Sequence, residues 1–420
     1  MKYQAPRGTH DYTPPGSLAF RSLALTAEQV FSLYGFLPIE TPIFEATDLF
    51  TRSIGEETDI VSKEMYTFAD RKGRSLTLRP EGTASAVRAY LEHGLGELGF
   101  NRFQYFGPMF RYERPQAGRT RQFYQVGVEA FGEAGPAVDA EVIDSFVRFA
   151  STLGLEGLEV KLNSVGCPEC RKVWVERLKA SLADATASLC ELCRVRLERN
   201  PMRILDCKVA SCQERYRDLP TLVSQLCDPC CEHFRGVREG LDLLGVPYRL
   251  EPNLVRGLDY YTRTAFEVSS SHLGAQDALG GGGRYDLLVE QFGGKPTPAV
   301  GFAAGVERLL MVLEKTATAR PPAYAGAVYL AALGSRARAK GMELASKLRT
   351  QQVRCVLDST GDGLGKKLKT ASRMGFGKTL ILGDPELDAG QVLVKDMATG
   401  HQETIELAAV AASLGSPKEP

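Results

Sequence analysis

The chain has 420 residues, which exceeds a single ordinary core, so we expect two or three domains. Lysine plus arginine number 51 and aspartate plus glutamate also number 51, so any RNA binding has to depend on local basic patches. The N-terminus lacks the apolar core of a signal peptide, and no stretch approaches the ~18 apolar residues that a membrane span requires. These features predict a cytoplasmic protein with no membrane partner.

The first third of the chain predicts a helix, an extended segment and a hairpin. Residues 17–34 carry apolar side chains at helical spacing, and residues 35–42 are predicted to be extended because residues before proline avoid the α region. Polar and apolar residues alternate over 75–79, as in a half-buried strand. Two further extended patterns, 103–113 and 121–131, are joined by a polar loop and predict an antiparallel hairpin.

The composition changes twice further along the chain. Residues 166–233 are rich in cysteine and arginine and have helical patches, which predicts an insertion into the surrounding fold. Residues 314–322 lack apolar periodicity and end in two prolines, as interdomain linkers do. Strand and helix patterns then alternate over 327–382, which predicts a small α/β domain with some parallel pairing.

One face of the second hairpin strand is a candidate ligand site. Because side chains alternate along a strand, Gln125, Gly127 and Glu129 share a face. A glycine between an amide and a carboxylate leaves a slot in which a small polar ligand could lie. The alternative is an ordinary solvated sheet face.

Charged residues near this strand suggest the same site. Arg111 shares a face of the first hairpin strand with Glu113, and its planar fork suits phosphate or carboxylate, although a surface ion pair with Glu113 is the simpler interpretation. Glu81 and Thr83 follow the strand at 75–79, where a carboxylate and a hydroxyl can converge on an ammonium group. Their alternative role is to form the turn.

The segment 254–261 is the most informative in the chain, because it places Arg256 beside Tyr260 and Tyr261. Such an arginine could stabilise charge on a phosphate, whereas the structural alternative pairs it with Asp259. The glycine run 280–283 presents no side chains and permits close approach of the backbone to a ligand, although an isolated run of this kind is more often a flexible turn.

These motifs together resemble those of the histidyl-tRNA synthetase family, which belongs to the class II aminoacyl-tRNA synthetases. Residues 254–261 resemble its histidine signature, residues 110–113 with 122–125 resemble motif 2, and residues 301–308 resemble motif 3. Pro42 resembles the proline of motif 1, which builds the dimer interface in this class. The resemblance spans most of the chain.

The resemblance implies an α+β fold, with a class II antiparallel sheet flanked by helices, a mostly helical cysteine-rich insertion and a C-terminal α/β anticodon-binding domain. The implied catalytic domain has two parts, residues 1–165 and residues 239–320. The insertion domain between them covers residues 166–238, and the anticodon-binding domain covers residues 321–420. The implied protein is a homodimeric enzyme that activates L-histidine with ATP and Mg²⁺ and transfers it to the 3′ end of tRNA(His).

The resemblance also implies a role for individual residues. Arg256 and Arg111 are expected to be catalytic, by stabilising charge at the α-phosphate. The residues expected to bind histidine are Glu81, Thr83, Arg111, Gln125, Glu129, Arg256, Tyr260 and Tyr261. The residues expected to bind ATP are Arg111, Arg119, Arg121, Gly283 and Arg308.

Basic residues in two places are expected to contact tRNA. The hairpin loop contributes Arg114, Gln116 and Arg119, and the C-terminal domain contributes Lys366 and Lys367. Phosphate attraction at such sites is local and does not need a basic chain. In both places the alternative is an ordinary solvated surface.

Cysteine pairs form a second chemical pattern. Two Cys-x-x-Cys pairs have a spacing that suits one tetrahedral zinc ion, and these are Cys167, Cys170, Cys190 and Cys193. A second site of the same type could use Cys207, Cys212, Cys227 and Cys230, with Cys231 and His233 adjacent. Any such metal would be structural, and the alternative is a set of reduced, partly buried thiols.

A different function remains open within the same family. A catalytically silent relative serves as the regulatory subunit of ATP phosphoribosyltransferase and senses histidine without charging RNA. It usually lacks the C-terminal domain and departs from the catalytic motifs, whereas this chain has Arg111, Arg256 and Arg308. The ligase is therefore the favoured prediction.

Overall fold

The computed structural model describes residues 3–55, 58, 60–116, 118–207, 209–216, 219, 221–273, 277–316, 324 and 326–414. The chain divides into two compact units, one of Met1–Tyr12 with Ala19–Ala317 and one of Thr13–Leu18 with Thr318–Pro420. The expected domain boundary at 320/321 lies outside the described residues. No helix in the described ranges is both long and apolar enough to cross a membrane.

The helices are α1 (Gly16–Leu33), α2 (Thr47–Ile54), α3 (Thr83–Glu92), α4 (Pro136–Thr152), α5 (Pro168–Leu182), α6 (Glu191–Arg199), α7 (Ala210–Tyr216), α8 (Asp228–Leu244), α9 (Leu288–Gln291), α10 (Val306–Thr316), α11 (Ser335–Thr350), α12 (Leu364–Met374), α13 (Asp384–Asp388) and α14 (Val410–Ser413). The strands are β1 (Leu37–Pro38), β2 (Phe44–Ala46), β3 (Tyr66–Ala69), β4 (Ser75–Leu78), β5 (Arg102–Phe110), β6 (Gln122–Phe131), β7 (Leu158–Ser164), β8 (Tyr248–Leu250), β9 (Thr262–Ser270), β10 (Ala278–Arg284), β11 (Ala299–Gly305), β12 (Val328–Ala332), β13 (Cys355–Asp358), β14 (Lys378–Leu382), β15 (Gln391–Asp396) and β16 (Gln402–Glu406).

A large sheet organises the first unit, with strand order β1-β5-β6-β11-β10-β9-β7-β8. Its inner strands pair antiparallel, and the edge pairs β1–β5 and β7–β8 are parallel. The hairpin expected at 103–131 is confirmed, since β5 pairs with β6 from Arg102 opposite Ala130 to Phe110 opposite Gln122. The extended segment predicted at 35–42 forms a strand only over Leu37–Pro38, where a proline is tolerated at the sheet edge.

Polar and apolar side chains alternate along the strands of this sheet, so one face is largely apolar and packs against helices. Val126, Val128 and Ala130 of β6 are buried in a core shared with α1, α4, α8 and α10. Within this core Phe146 of α4 stacks on Phe302 of β11, with ring centroids 4.5 Å apart. The opposite face of β6 carries the polar residues, so the packing leaves that face for a ligand site.

The cysteine-rich insertion is mostly helical, as expected, and contains α5 to α8 joined by short 3₁₀ segments. It has a small core of its own around Trp174, Leu178 and Ile204, and three of its cysteines are buried there. Those cysteines are Cys193, Cys207 and Cys212.

The second unit is built on a sheet with order β13-β12-β14-β15-β16. The β-α-β-α-β pattern predicted at 327–382 is confirmed, with β13, β12 and β14 parallel and α11 and α12 as crossovers. Two antiparallel strands, β15 and β16, continue the sheet beyond the predicted segment.

Lys367 requires a correction, because it is buried and cannot contact RNA. Its ammonium group donates to the backbone oxygens of Asp358 at 3.1 Å and Thr360 at 3.0 Å, and lies 3.1 Å from the Asp358 carboxylate. Tyr329 also donates to that carboxylate, and these hydrogen bonds lower the pKa of Asp358 against the effect of burial. The neighbouring Lys366 is exposed and pairs with Asp362 on the surface.

We predict that Lys367→Ala destabilises the second unit by about 3 kcal/mol, because it leaves a partly buried carboxylate without its cation. Lys366→Ala is the matched control and should change stability by no more than ~0.5 kcal/mol. Urea unfolding followed by circular dichroism measures both values. Equal effects of the two substitutions would contradict the structural role of Lys367.

Candidate active site

A cavity of about 480 Å³ lies on the face of the large sheet opposite the core formed with α1, α4, α8 and α10. Its wall includes residues from the turn before α3, the hairpin, the segment 254–261, β10 and α10. Nine residues of the predicted site meet there, and they are Glu81, Thr83, Arg111, Arg119, Gln125, Arg256, Tyr260, Tyr261 and Arg308.

The other predicted residues lie outside the cavity wall. Gly283 lies behind Tyr261, since a Cβ at Gly283 would be 3.0 Å from the Tyr261 ring. Arg121 packs over the Tyr112 ring at 3.9 Å. Arg114 and Gln116 are exposed on the hairpin loop, as expected of residues that contact a macromolecule.

Glu129 lies beneath the cavity and is completely buried. Its carboxylate accepts hydrogen bonds from Thr83 Oγ1 at 2.7 Å, from Tyr105 at 3.3 Å and from Tyr285. Burial raises the pKa of Glu129 to about 8, the charge of Glu81 adds to the shift, and the hydroxyl donors oppose it. The cavity floor is therefore a carboxyl group poised near neutral pH.

Glycine makes room for this carboxyl group. A Cβ at Gly301 of β11 would collide with Glu129 Oε2, so a side chain there would displace the carboxylate. Tyr105 and Tyr285 were not predicted as site residues. Tyr105 has the same strand parity as Arg111, so the alternation of β5 contained a signal for it.

Glu81 is also buried, at the start of α3. Its carboxylate accepts hydrogen bonds from the backbone N–H groups of Thr83 at 2.7 Å and Ala84 at 2.8 Å. Burial raises the pKa of Glu81, while these two backbone donors lower it. Glu81 therefore stabilises the turn, as the alternative interpretation stated, and it also lines the cavity.

Three arginines make one end of the cavity cationic. Arg111 donates from Nε to the backbone oxygen of Pro80 at 2.9 Å, and its Nη1 is 3.9 Å from Glu113, a long contact for an ion pair. Arg119 lies 3.3 Å from the same Glu113 carboxylate. Arg308 donates to Ala278, and its pKa is lowered by burial and by the charge of Arg119. An anion in this region would relieve the repulsion between the arginines.

Arg256 projects over the glycine-rich strand β10. It donates from Nη1 to Glu267 Oε2 at 3.1 Å, so its partner is Glu267 and not Asp259 as the structural alternative proposed. A Cβ at Gly281 would be 2.7 Å from Arg256 Nη1 and 2.5 Å from the backbone oxygen of Phe266. The Phe266 backbone oxygen therefore requires glycine at this position, and the guanidinium group lies in the space that the absent side chain leaves.

Two buried polar atoms of cavity-lining residues have no hydrogen-bond partner among the residues described. These are Arg256 Nε, a donor, and Gln125 Oε1, an acceptor. Buried polar groups are nearly always paired in folded proteins, and leaving one unpaired costs ~1–3 kcal/mol. A donor and an acceptor left together in one cavity indicate that a polar ligand completes the site.

Eight of the ten cysteines form two groups of four, and in each group all Sγ atoms lie within 4.8 Å of one another. The Cys167 cluster contains Cys167, Cys170, Cys227 and Cys230, and the Cys190 cluster contains Cys190, Cys193, Cys207 and Cys212. The predicted grouping was wrong, because the fold brings the N-termini of α5 and α8 together and the Cys227 N–H donates to Cys170 Sγ at 3.2 Å. His233 instead contacts Asp139 at 3.1 Å, and Cys231 is exposed.

The chain has a largely antiparallel sheet flanked by helices, with an arginine-rich cavity on one face, which is the arrangement of class II aminoacyl-tRNA synthetases. The family model described as histidyl-tRNA synthetase matches residues 8–309, and an anticodon-binding domain matches residues 327–416. The chain belongs to the histidyl-tRNA synthetase family.

Relatives of this chain extend over nearly its whole length. It is 50% identical over 409 residues to the histidine–tRNA ligase of Halothermothrix orenii, covering 97% of this chain and 98% of the relative. Among solved structures, the apo histidyl-tRNA synthetase of S. aureus is 36% identical, with a TM-score of 0.83, and covers 98% of this chain and 99% of that one. A further solved structure is a Bacillus halodurans protein described as an ATP phosphoribosyltransferase regulatory subunit/histidyl-tRNA synthetase. It is 22% identical, has a TM-score of 0.66 and covers 91% of this chain and 99% of that one, so it shows the fold alone.

We predict that Glu129→Gln removes part of the pH dependence of stability. The folded-state pKa of about 8 lies above the ordinary value of 4.5, so between these values the folded protein holds a proton that the unfolded chain releases. Stability should therefore fall by up to ~1.4 kcal/mol per pH unit as the pH rises through this window, and level off above it.

Urea unfolding of wild type and Glu129→Gln at pH 6, 7 and 8 measures this slope. Glu290→Gln, at an exposed position, is the control and should follow wild type. An unchanged slope in Glu129→Gln would contradict the protonated, buried state of Glu129.

Proposed function

We propose that the protein is a histidine–tRNA ligase, which forms histidyl-adenylate and pyrophosphate from L-histidine and ATP and then transfers histidine to the 3′ end of tRNA(His). The observation that carries the proposal is the pair of unpartnered buried atoms, Arg256 Nε and Gln125 Oε1, beside the buried carboxyl group of Glu129. A small ligand with donors and acceptors at both ends satisfies all three. As a tRNA-charging enzyme it is expected in the cytoplasm.

Histidine would lie between Glu81 and the floor of the cavity. Gln125 Oε1 and Glu81 would accept hydrogen bonds from its α-ammonium group, while Glu129 would accept from the imidazole and Tyr261 would meet the other ring nitrogen. Tyr260 walls the pocket. An amino acid without two ring nitrogens would leave buried groups unpaired, and such losses give strong discrimination.

Thr83 acts partly through Glu129 in this arrangement. Its hydroxyl already donates to the Glu129 carboxylate, and its backbone N–H donates to Glu81. Thr83 therefore holds both carboxyl groups in place, and its contact with the α-ammonium group is a further part of the proposal.

Activation needs charge stabilisation more than proton transfer. An oxygen of the histidine carboxylate attacks the α-phosphorus of ATP, the bond to the bridging oxygen breaks, and pyrophosphate leaves with the electron pair. Arg256 and Arg111 stabilise the charge on the α-phosphate, and Arg119 and Arg308 bind the outer phosphates. The roles of Arg121 and Gly283 would be indirect, because Arg121 packs over the Tyr112 ring and Gly283 lies behind Tyr261.

Mg²⁺ would neutralise phosphate charge during this step. Oxygen ligands suit this cation, and Glu113 and Glu267 are cavity-lining carboxylates whose partners are side-chain cations. The other acidic residues of the wall, Glu81 and Glu307, instead accept backbone hydrogen bonds. We therefore assign any protein ligands of Mg²⁺ to Glu113 and Glu267.

For the second step, a hydroxyl of the tRNA 3′ end attacks the carbonyl carbon of the adenylate and AMP leaves. The loop residues Arg114, Gln116 and Arg119 are exposed and would contact this end, and the exposed Lys366 of the second unit would contact RNA. We assign residues 1–165 and 239–320 to catalysis, 166–238 to the insertion and 321–420 to anticodon binding. Exposed apolar side chains near β1, including Leu37, Ile43 and Phe44, support a homodimer.

The regulatory-subunit alternative is less well supported. Relatives 47–50% identical over at least 95% of both chains are named histidine–tRNA ligase, and Arg111, Arg256 and Arg308 all line the cavity. The test is ATP-dependent charging of a tRNA(His) transcript by the purified protein. Accumulation of histidyl-tRNA is expected, whereas histidine binding without charging would favour the regulatory protein.

We predict that Arg256→Ala lowers the single-turnover rate of adenylate formation by roughly 10²–10³-fold, because it removes a preorganised charge aimed at the transition state. Arg249→Ala, at an exposed ion pair outside the cavity wall, is the control and should react at the wild-type rate. Quenched-flow measurement of histidyl-adenylate gives both rates. A near-normal rate for Arg256→Ala would remove this residue from the mechanism.

We also propose that each cysteine cluster holds a structural Zn²⁺. Tetrahedral coordination at ~2.3 Å places sulfurs ~3.8 Å apart. Cys167 and Cys227 are separated by 3.9 Å, as are Cys190 and Cys207. Cys167, Cys190 and Cys227 are also N-cap residues of helices, whose dipoles favour thiolates.

We therefore predict two equivalents of zinc per chain when the protein is produced in zinc-supplemented medium. Elemental analysis by mass spectrometry measures the content, and loss of metal to a strong chelator should lower the thermal midpoint because metal binding contributes folding free energy. Preparations without zinc under these conditions would show that both clusters are reduced thiols.

A further inference from the structure

The chain that joins the two cysteine pairs of the Cys190 cluster contacts the segment that carries Arg256. The chain between Cys193 and Cys207 includes a short 3₁₀ helix, Pro201–Asp206. Just before this helix, Asn200 Nδ2 donates to both carboxylate oxygens of Asp259, at 2.9 and 3.0 Å. Asp259 belongs to the same segment, 254–261, as Arg256.

Two more contacts join these segments. Met202 packs against both the core of the insertion and the apolar cluster that contains Tyr260 and Tyr261. Arg203 Nη1 lies 3.4 Å from the position that a Cβ of Gly257 would occupy. The stretch 200–203 therefore contacts the segment 254–261 at several points along its length.

The segment 254–261 depends on such contacts for its shape, because it forms neither helix nor strand. At its start, Leu254 is held by Asn163, which donates to the Leu254 backbone oxygen at 2.8 Å. Farther along, the Asp259 N–H donates to Ile54 at 3.2 Å. Between these two points lie Arg256, Gly257 and Leu258, which all line the cavity.

We propose that a metal ion in the Cys190 cluster is a positioning device for catalysis. By joining Cys190 and Cys193 to Cys207 and Cys212, the metal closes the chain into a loop whose tip, residues 200–203, supports the segment that carries Arg256. The metal contacts no substrate. Its loss loosens this segment and slows histidine activation. The expected slowing of histidine activation rests on the proposed function, whereas the expected loosening of the segment does not.

The test compares three variants of the full-length, zinc-loaded protein. Cys193→Ser/Cys207→Ser removes two buried ligands of the cluster. Asn200→Ala leaves the ligands intact and removes one contact to the segment. Cys231→Ser changes an exposed cysteine outside both clusters and is the matched control.

Each variant is characterised by its zinc content and by hydrogen exchange of residues 254–261, measured by mass spectrometry. ATP–pyrophosphate exchange then gives kcat and KM for histidine. The double cysteine variant should lose one of two zinc equivalents, exchange faster at 254–261 and lose roughly 10–100-fold in kcat/KM, since small displacements of catalytic groups have effects of this size. Asn200→Ala should keep both zinc ions, exchange faster at the same residues and lose kcat by a smaller factor. Cys231→Ser should match wild type.

A zinc-depleted double variant with wild-type hydrogen exchange at 254–261 would overturn the proposal. So would an Asn200→Ala variant that matches wild type in both exchange and kcat. If the double variant unfolds the insertion, wild type stripped of zinc by a chelator takes its place in this comparison, and Asn200→Ala tests the contact to Asp259. Failure of the proposed function is distinguishable, because wild type would then show no pyrophosphate exchange while the zinc and hydrogen-exchange results still stand.

Discussion

The burial of the Glu129 carboxyl group is the constraint on which the rest of the site depends. A carboxylate without water is expensive, and here three hydroxyl groups from Thr83, Tyr105 and Tyr285 surround it. Thr83 begins α3, Tyr105 lies in β5 and Tyr285 follows β10 directly. The sheet and the first turn of α3 therefore have to meet in one arrangement. Burial in this arrangement raises the pKa of Glu129 against the effect of the hydroxyl donors, and it gives the cavity a polar floor.

The middle of the large sheet is correspondingly poor in side chains on its cavity face. Glycines of β10 and β11 leave space that Arg256 and Glu129 occupy, so the functional groups reach the cavity from neighbouring elements. One face carries the larger apolar core. The other face packs against α3 and α9 at one end, and its glycine-rich part leaves room for the cavity.

Local periodicity was sufficient to predict much of the fold and of the cavity wall. Alternation along β6 separated Val126 and Val128 from Gln125 and Glu129, and the structure confirms that separation. Long-range contacts were not predictable in this way. The partner of Arg256, the burial of Lys367 and the grouping of the cysteines all depend on which elements pack together, and sequence spacing carries no information on this packing.

In the proposed function, this cavity selects histidine and activates it with ATP. ATP–pyrophosphate exchange by the purified wild-type protein, with each of the standard amino acids in turn, measures both properties. Exchange is expected with histidine alone. Histidine binding without exchange, or exchange at a similar rate with another amino acid, would show that the cavity does not have this function.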